Sequence, residues 1–263
     1  MKKFSMGESK PSTDLNGATF FLELPTKGRF YPDNHPFHDK ETIEIKMMTT
    51  KEEEILTNPS YVEKEMTVEK LLESIVLEEG FEVNEIFETD KLAILIGARI
   101  DAYGEDYPAI IACGGCEKEY TFNINLKEVI GNVRESDIEK TDKNSLIIEV
   151  PKSKKVIEFR LLLPSEIASI ERTVEKMKKL NINTSLMTEF YKRIILSVDG
   201  DTNRDNIGQF IDNLKIMDSR FLSATYYKSL PTLNTVFKSA CAHCGQEQEG
   251  GMPIQANFFF PEF

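Results

Sequence analysis

The chain has four cysteines, and all of them fall in two Cys-x-x-Cys pairs, Cys113 with Cys116 and Cys241 with Cys244. A Cys-x-x-Cys turn directs two soft sulfur ligands toward one point, and a structural zinc needs four such ligands in a tetrahedron. One pair leaves the shell open; two pairs close it. A zinc ribbon usually separates its pairs by ~15–20 residues, whereas here the pairs lie in different halves of the chain. The favoured reading is one structural zinc held by Cys113, Cys116, Cys241 and Cys244. Two alternatives stand beside it. Cys241-Ala242-His243-Cys244 carries a histidine between its cysteines, as some thiol oxidoreductases do to lower a thiol pKa, and the four thiols could also be unmetallated core groups. A redox motif should open a helix. The flanks here, Thr235-Val236-Phe237-Lys238 and Gln246-Glu247-Gln248, read as hairpin arms. His243 reads as a solvent-facing residue of the knuckle.

No other constellation of this kind stands out, and no catalytic residues are assigned. There is no P-loop, no GxGxxG after a strand, no GxSxG and no HExxH. Of the three histidines, His35 and His38 share a loop without a Cys, Asp or Glu at a matching metal-ligand spacing. Asp199, Asp201 and Asn203 mimic the start of a calcium loop. Arg204 then stands where the sharp turn needs Gly, and Phe210 where the bidentate Glu belongs, so the segment reads as a turn and helix N-cap between two helices. An enzyme is therefore disfavoured. A last feature is aromatic: Phe258, Phe259, Phe260 and Phe263 crowd the C-terminus. They either complete the second CxxC hairpin and pack on their own repeat, or form a partner-binding segment.

The elements that must position these groups follow from periodicity. Phe20–Leu24 and the alternating Thr42–Met47 read as strands, with a turn at Pro25 and Gly28. Lys51–Leu56 and Thr67–Leu77 read as helices, the second with Thr67 as N-cap and Leu71, Leu72, Ile75 and Val76 on its apolar face. A further helix starts near Thr89-Asp90 and buries Leu92, Leu95, Ile96 and Ile100. Strands at Tyr107–Ala112 and Tyr120–Ile124 flank the first cysteine pair. The polar stretch 127–145 reads as a charged linker, with room for one short helix, and Leu146–Val150 restarts structure as a strand.

That restart replays the first half. Ile43-Glu44-Ile45-Lys46-Met47-Met48 matches Ile157-Glu158-Phe159-Arg160-Leu161-Leu162 class by class, and Glu52 matches Glu166 at the same offset. Ile75-Val76-Leu77 has a counterpart in Ile194-Ile195-Leu196, each closing a helix. Asp90 and Asp218 precede helices and stand at the same distance before the first cysteine of their pairs. The fold expected is α+β: two duplicated repeats, each a β-hairpin, helices and a CxxC-tipped hairpin, joined by a shared zinc-ribbon-like site. The boundaries are a flexible arm at 1–17, a first repeat at 18–126, a linker at 127–145 and a second repeat at 146–263.

The 263 residues carry a net charge of −12. Such a field repels phosphate backbones, and Glu117, Glu119, Glu247 and Glu249 outweigh Lys118 and Lys238 near the cysteines. A zinc-ribbon nucleic-acid-binding regulator is thus the weaker alternative, and a thiol oxidoreductase weaker still. No apolar run approaches the ~20 residues that span a bilayer, and the N-terminus lacks the apolar core of a secretory signal. A reducing cytoplasm, in which disulfides are rare, is the expected setting.

The chain resembles the baseplate hub subunit or hub assembly chaperone family of T-even-type contractile-tailed bacteriophages. The likeness rests on Leu24-Pro25-Thr26-Lys27-Gly28-Arg29-Phe30-Tyr31-Pro32, Glu54-Ile55-Leu56-Thr57-Asn58-Pro59 and Arg193-Ile194-Ile195-Leu196-Ser197-Val198-Asp199-Gly200. It continues through Met217-Asp218-Ser219-Arg220, the two CxxC knuckles and the Phe-rich end. The resemblance implies a non-enzymatic role in tail assembly, as a virion component of the hub or as a chaperone that leaves. It also implies other baseplate hub proteins as partners, no small-molecule substrate, and residence in the host cytoplasm during assembly or in the virion baseplate.

Overall fold

The computed structural model describes residues 18–260 except 136–140, 142–143, 181–183 and 255–257. The expected arm at 1–17, part of the 127–145 stretch and Phe263 therefore lie outside the described residues. The first half opens with antiparallel strands β1 (Thr19–Glu23) and β2 (Thr42–Lys46). Their alternation buries Phe20, Leu22, Ile43 and Ile45 on one face, the signature of a half-exposed ribbon. The connection between them closes tightly at Gly28. Its φ is +70, and a Cβ there would lie 2.2 Å from the Lys40 nitrogen, so no other residue fits.

Helix α1 (Thr50–Thr57) starts at a capping box between Thr49 and Glu52, which satisfies amides that the first turn leaves unpaired. The short α2 (Pro59–Glu63) begins with Pro after an Asn58 cap. In α3 (Thr67–Ile75) the apolar face expected from the sequence is buried at Leu71, Leu72 and Ile75. Thr67 is the first helical residue, not the cap; Met66 holds that position without a side-chain bond. Val76 then bridges Ile45, so the chain adds to the edge of β2. Helix α4 (Glu88–Tyr103) runs through the interior, buried at ten positions including Ala93, Ile96 and Ile100. It leads into the hairpin of β3 (Asp106–Ala112) and β4 (Glu119–Asn125).

The expected linker is partly ordered structure. Helix α5 (Leu126–Gly131) buries Leu126, Val129 and Ile130, and β5 (Val133–Arg134) follows. The second half begins with β6 (Leu146–Glu149) and β7 (Val156–Phe159), again antiparallel. Helices α6 (Pro164–Lys179) and α7 (Leu186–Ile194) follow. The chain then extends as β8 (Ile195–Val198) along β7. Ile194-Ile195-Leu196 thus spans a helix end and a strand, because three β-branched or aliphatic residues pair readily on a buried sheet edge. Helix α8 (Arg204–Asp212) is capped by Asn203. Asp199 accepts from the Val156 amide and Asp201 from the Asn203 amide. The calcium-like segment is a turn and cap as expected, though it joins a strand to a helix.

Helix α9 (Ile216–Ser229) leads to β9 (Thr232–Leu233) and then to the second CxxC hairpin, β10 (Val236–Ala240) with β11 (Glu247–Gly251). Strand β9 pairs with β5, stitching the halves, and one hydrophobic cluster runs from Phe20 to Phe259 through both. The architecture is α+β with small separate sheets. Among the described residues no helix is long and apolar enough to cross a membrane.

The two halves place matching residues in matching roles. Asp90, in the first turn of α4, accepts from the Thr26 amide at 3.1 Å and the Thr26 hydroxyl at 2.6 Å, in the turn after β1. Asp218, in the first turn of α9, accepts from the Lys152 amide at 2.6 Å and the Ser153 amide at 3.0 Å, in the turn after β6. Both lie inside their helices, one turn later than expected. Lys46 pairs with Glu52 at 2.8 Å, and Arg160 with Glu166 at 2.6 Å. Glu52 and Glu166 also accept from backbone amides, those of Thr49 and Leu163, at the starts of α1 and α6.

Candidate metal centre

Each cysteine pair sits at the tip of its hairpin, and the two tips are locally alike. The Cys113 amide donates to the Lys118 carbonyl at 3.0 Å, and the Cys241 amide to the Gln246 carbonyl at 2.9 Å. The residue four places after the first cysteine turns left-handed in both: Glu117 at φ +60 and Gly245 at φ +74. In each knuckle the amide two residues on donates to the first sulfur at 3.4 Å, Gly115 to Cys113 and His243 to Cys241. The first cysteine of each pair is buried, and the second lies nearer solvent.

The tertiary structure brings the two tips together. All four Sγ atoms lie within 4.8 Å of one another. Cys113 Sγ is 3.6 Å from Cys244 Sγ, and Cys116 Sγ is 3.7 Å from Cys241 Sγ. These separations are far beyond a disulfide bond. They fit the edges of a tetrahedron around a metal, about 3.8 Å for metal–sulfur bonds of about 2.3 Å. The Cys113 thiol is pulled down to about 6 by backbone amides of Cys116 and Gly115, against burial. Four sulfurs this close repel one another as thiolates, so full ionisation calls for a cation among them. Neither pair opens a helix, which removes the local geometry that a redox dithiol uses.

Contacts outside the sulfurs hold the knuckles in register. His243 Nε2 lies 3.0 Å from the Glu119 carbonyl of the opposite hairpin. Although the residue is exposed, its ring is a strut between knuckles. Gln248 accepts from the Gly114 amide at 3.0 Å and donates to the Ala112 carbonyl at 3.2 Å. The Tyr120 hydroxyl and Ser239 Oγ share a buried bond of 2.8 Å, and the Phe122 and Phe237 rings stack with centroids 5.4 Å apart. Sequence reading missed Gln248 and Ser239, because a polar residue on a hairpin arm gives no sign of which arm it will face. Glu117, Glu119, Glu247 and Glu249 are exposed around the site, so its surroundings carry acidic groups.

The aromatic end lies elsewhere, and two of its rings are not available to a partner. Phe258 is fully buried and Phe259 nearly so. Phe258 packs edge-on against Tyr107 of β3 at 5.1 Å, and the Tyr107 hydroxyl donates to the Pro253 carbonyl at 2.8 Å. The described part of the segment therefore packs on the first half at Tyr107. Phe260 is partly exposed, and Phe263 lies outside the described residues. His35 and His38 are loop residues: His35 stacks on Tyr31 at 4.4 Å, and burial lowers its pKa to about 4.

Over residues 19–260 the sequence matches the model of a family described as T4 bacteriophage base plate protein. No curated protein and no solved structure matches it.

Proposed function

The chain belongs to the T4 bacteriophage base plate protein family, and on that premise we propose that it is a non-enzymatic baseplate hub component or hub assembly chaperone, working through contacts with other hub proteins. The family match over nearly the whole chain is the observation that carries this reading. The chemistry of the one built site agrees. A shell of four sulfurs is closed and leaves no open position for water or substrate, which is the pattern of structural metal sites. In this reading Cys113, Cys116, Cys241 and Cys244 hold one zinc, which cross-links the two CxxC hairpins. The reading also takes the halves as duplicated repeats. The matched Asp90 and Asp218 caps, the matched Lys46–Glu52 and Arg160–Glu166 pairs and the matched knuckles support it.

Mass spectrometry of purified particles, run beside a pull-down from infected cells with hub proteins as bait, tests the role. A component is present in both. A chaperone is captured with hub proteins during infection and is missing from finished particles. Absence from both overturns the proposal. Elemental analysis of protein purified without chelator should give one zinc per chain. Less than half an equivalent, with free thiols and normal stability, overturns the metal assignment.

A further inference from the structure

Helix α9 has two apolar faces. Its buried side carries Asp218, Leu222, Tyr226 and Ser229. Its outer side carries Ile216, Met217, Phe221 and Tyr227, exposed by 76%, 59%, 41% and 69%, with the exposed Ala224 between them. At 3.6 residues per turn these five fall on one arc of about 140°. Single exposed hydrophobics are ordinary, whereas a contiguous set on one helix marks a contact surface. Lys215, Arg220 and Lys228 are interspersed with or flank this arc, all exposed. None of them takes part in an ion pair among the described residues. The helix's one acid, Asp218, is buried on the turn after β6. A chain of net charge −12 thus presents on this helix an apolar face whose own exposed charges are all cationic.

The first half shows what such a helix takes as cover. Helix α4, which carries Asp90 as α9 carries Asp218, is packed against α3, α5 and β9. Of these, α5 follows the CxxC hairpin directly and turns in Leu126, Val129 and Ile130. In the second half the described residues after β11 are turned to the first half instead. Pro253 and Phe258 are bound to Tyr107 of the first half. Resting on the duplicated-repeat reading, we infer that the outer face of α9 is a docking site for a short amphipathic helix of a partner protein. That helix supplies aliphatic side chains to Met217, Phe221 and Tyr227 and carboxylates to Arg220 and Lys228. A second copy paired face to face would oppose Arg220 and Lys228 to their own likes, and the net charge of the chain opposes an anionic membrane.

The test uses the full-length, zinc-loaded protein and three synthetic helical peptides. One has leucines at i, i+3, i+4 and i+7 with glutamates flanking them. Its twin has lysines for the glutamates, and the third is a scramble of the first. Fluorescence anisotropy should show the acidic peptide binding at least tenfold tighter than either control, with hydrogen-exchange protection confined to 216–228. Phe221→Ser with Tyr227→Ser should weaken it at least tenfold at unchanged zinc content and thermal midpoint. Arg220→Glu with Lys228→Glu should reverse the preference toward the lysine twin. Equal binding of all peptides, binding untouched by these variants, preferential binding of phosphatidylglycerol vesicles, or self-association through this face each overturns the proposal. If no peptide binds while Asp90→Asn and Asp218→Asn each loosen their own hairpin in hydrogen exchange, docking fails and the repeat reading stands.

Discussion

Helices α4 and α9 do the same job in different surroundings. Each places an aspartate from its first turn on the turn of the hairpin before it, and each delivers the chain to a CxxC knuckle. Yet α4 is buried at ten positions and α9 at four. The local pattern of a helix and its cap sets what the helix holds in place. The neighbours supplied by the rest of the chain set whether its second face is core or surface.

The caps themselves differ in electrostatics. Burial raises the Asp90 carboxyl to about 6, even though the hydroxyls of Thr26 and Tyr31 and the Thr26 amide donate to it. Burial also acts on Asp218, but the Lys152 amide and the side chain and amide of Ser153 outweigh it and hold the carboxyl below its ordinary range. The balance differs because burial prevails over the donors at Asp90 and the donors prevail over burial at Asp218.

The sharpest way to break the comparison is at the metal, where the halves should respond as one. Cys113→Ser and Cys241→Ser should each cost on the order of 4 kcal/mol or more, the size reserved for loss of a metal or a buried network. Zinc content and urea melts check this. A large loss from one variant and none from the other would mean that the knuckles do not share a site.

Next come the paired ions at the helix starts. Glu52 is fully buried and accepts from Lys46, Thr49 and Ser74. Burial alone would raise its pKa, but these bonds prevail and lower it to about 2. Glu52→Gln should cost about 3 kcal/mol. Glu166 is partly exposed against Arg160, and Glu166→Gln should cost about 1 kcal/mol. Equal losses in chemical denaturation would show that burial does not separate the two pairs.

The caps sharpen the comparison through pH. A carboxyl raised to about 6 contributes stability that is full below its unfolded pKa near 3.8 and is lost as pH rises through 6. Asp218, held low, contributes stability above the ordinary carboxylate range that is lost as pH falls through its folded pKa. At pH 7 Asp218→Asn should therefore cost about 2 kcal/mol, because its new amide opposes a backbone N–H. Asp90→Asn should cost about 1 kcal/mol or less and should flatten stability between pH 4 and 6. Denaturation curves at pH 4, 5, 6 and 7 decide this.

The smallest effect lies in the knuckle turns. Glu117 holds a left-handed conformation that Gly245 holds without strain. Glu117→Gly should stabilise by about 0.5 kcal/mol and Gly245→Ala should destabilise by about 1 kcal/mol. A thermal shift of opposite sign in the two variants is the expected signature.

Much was legible in the chain order. The strand alternation at Thr42–Lys46, the apolar face of α3 and the hairpin arms around each cysteine pair are local, and local periodicity reports them. The short helix for which the 127–145 stretch leaves room forms as α5; Val129 and Ile130 sit in a run of charge that gives no sign of their burial. Hydrophobicity alone makes cover for the C-terminal phenylalanines an expectation, met at Phe258 and Phe259 and not at Phe260. That their seat includes Tyr107, in the first half of the chain, has no local signal.

The sequence by itself determined the donor set, two sulfurs per turn, since a CxxC turn is closed by its own backbone hydrogen bonds. It also determined the strand alternation of β2 and the apolar face of α3, because strand and helix periodicity are short-range properties. Only the tertiary structure decided that four sulfurs lie within 4.8 Å, that His243 and Gln248 brace the opposite hairpin, and that α9 keeps an apolar face in solvent while α4 does not. The sulfur cluster and its braces depend on contacts between residues more than a hundred positions apart, and the cover of α4 on separate elements packing around it. Which partner a buried or exposed face meets is set by the packing of the whole chain, and no spacing within one segment encodes it.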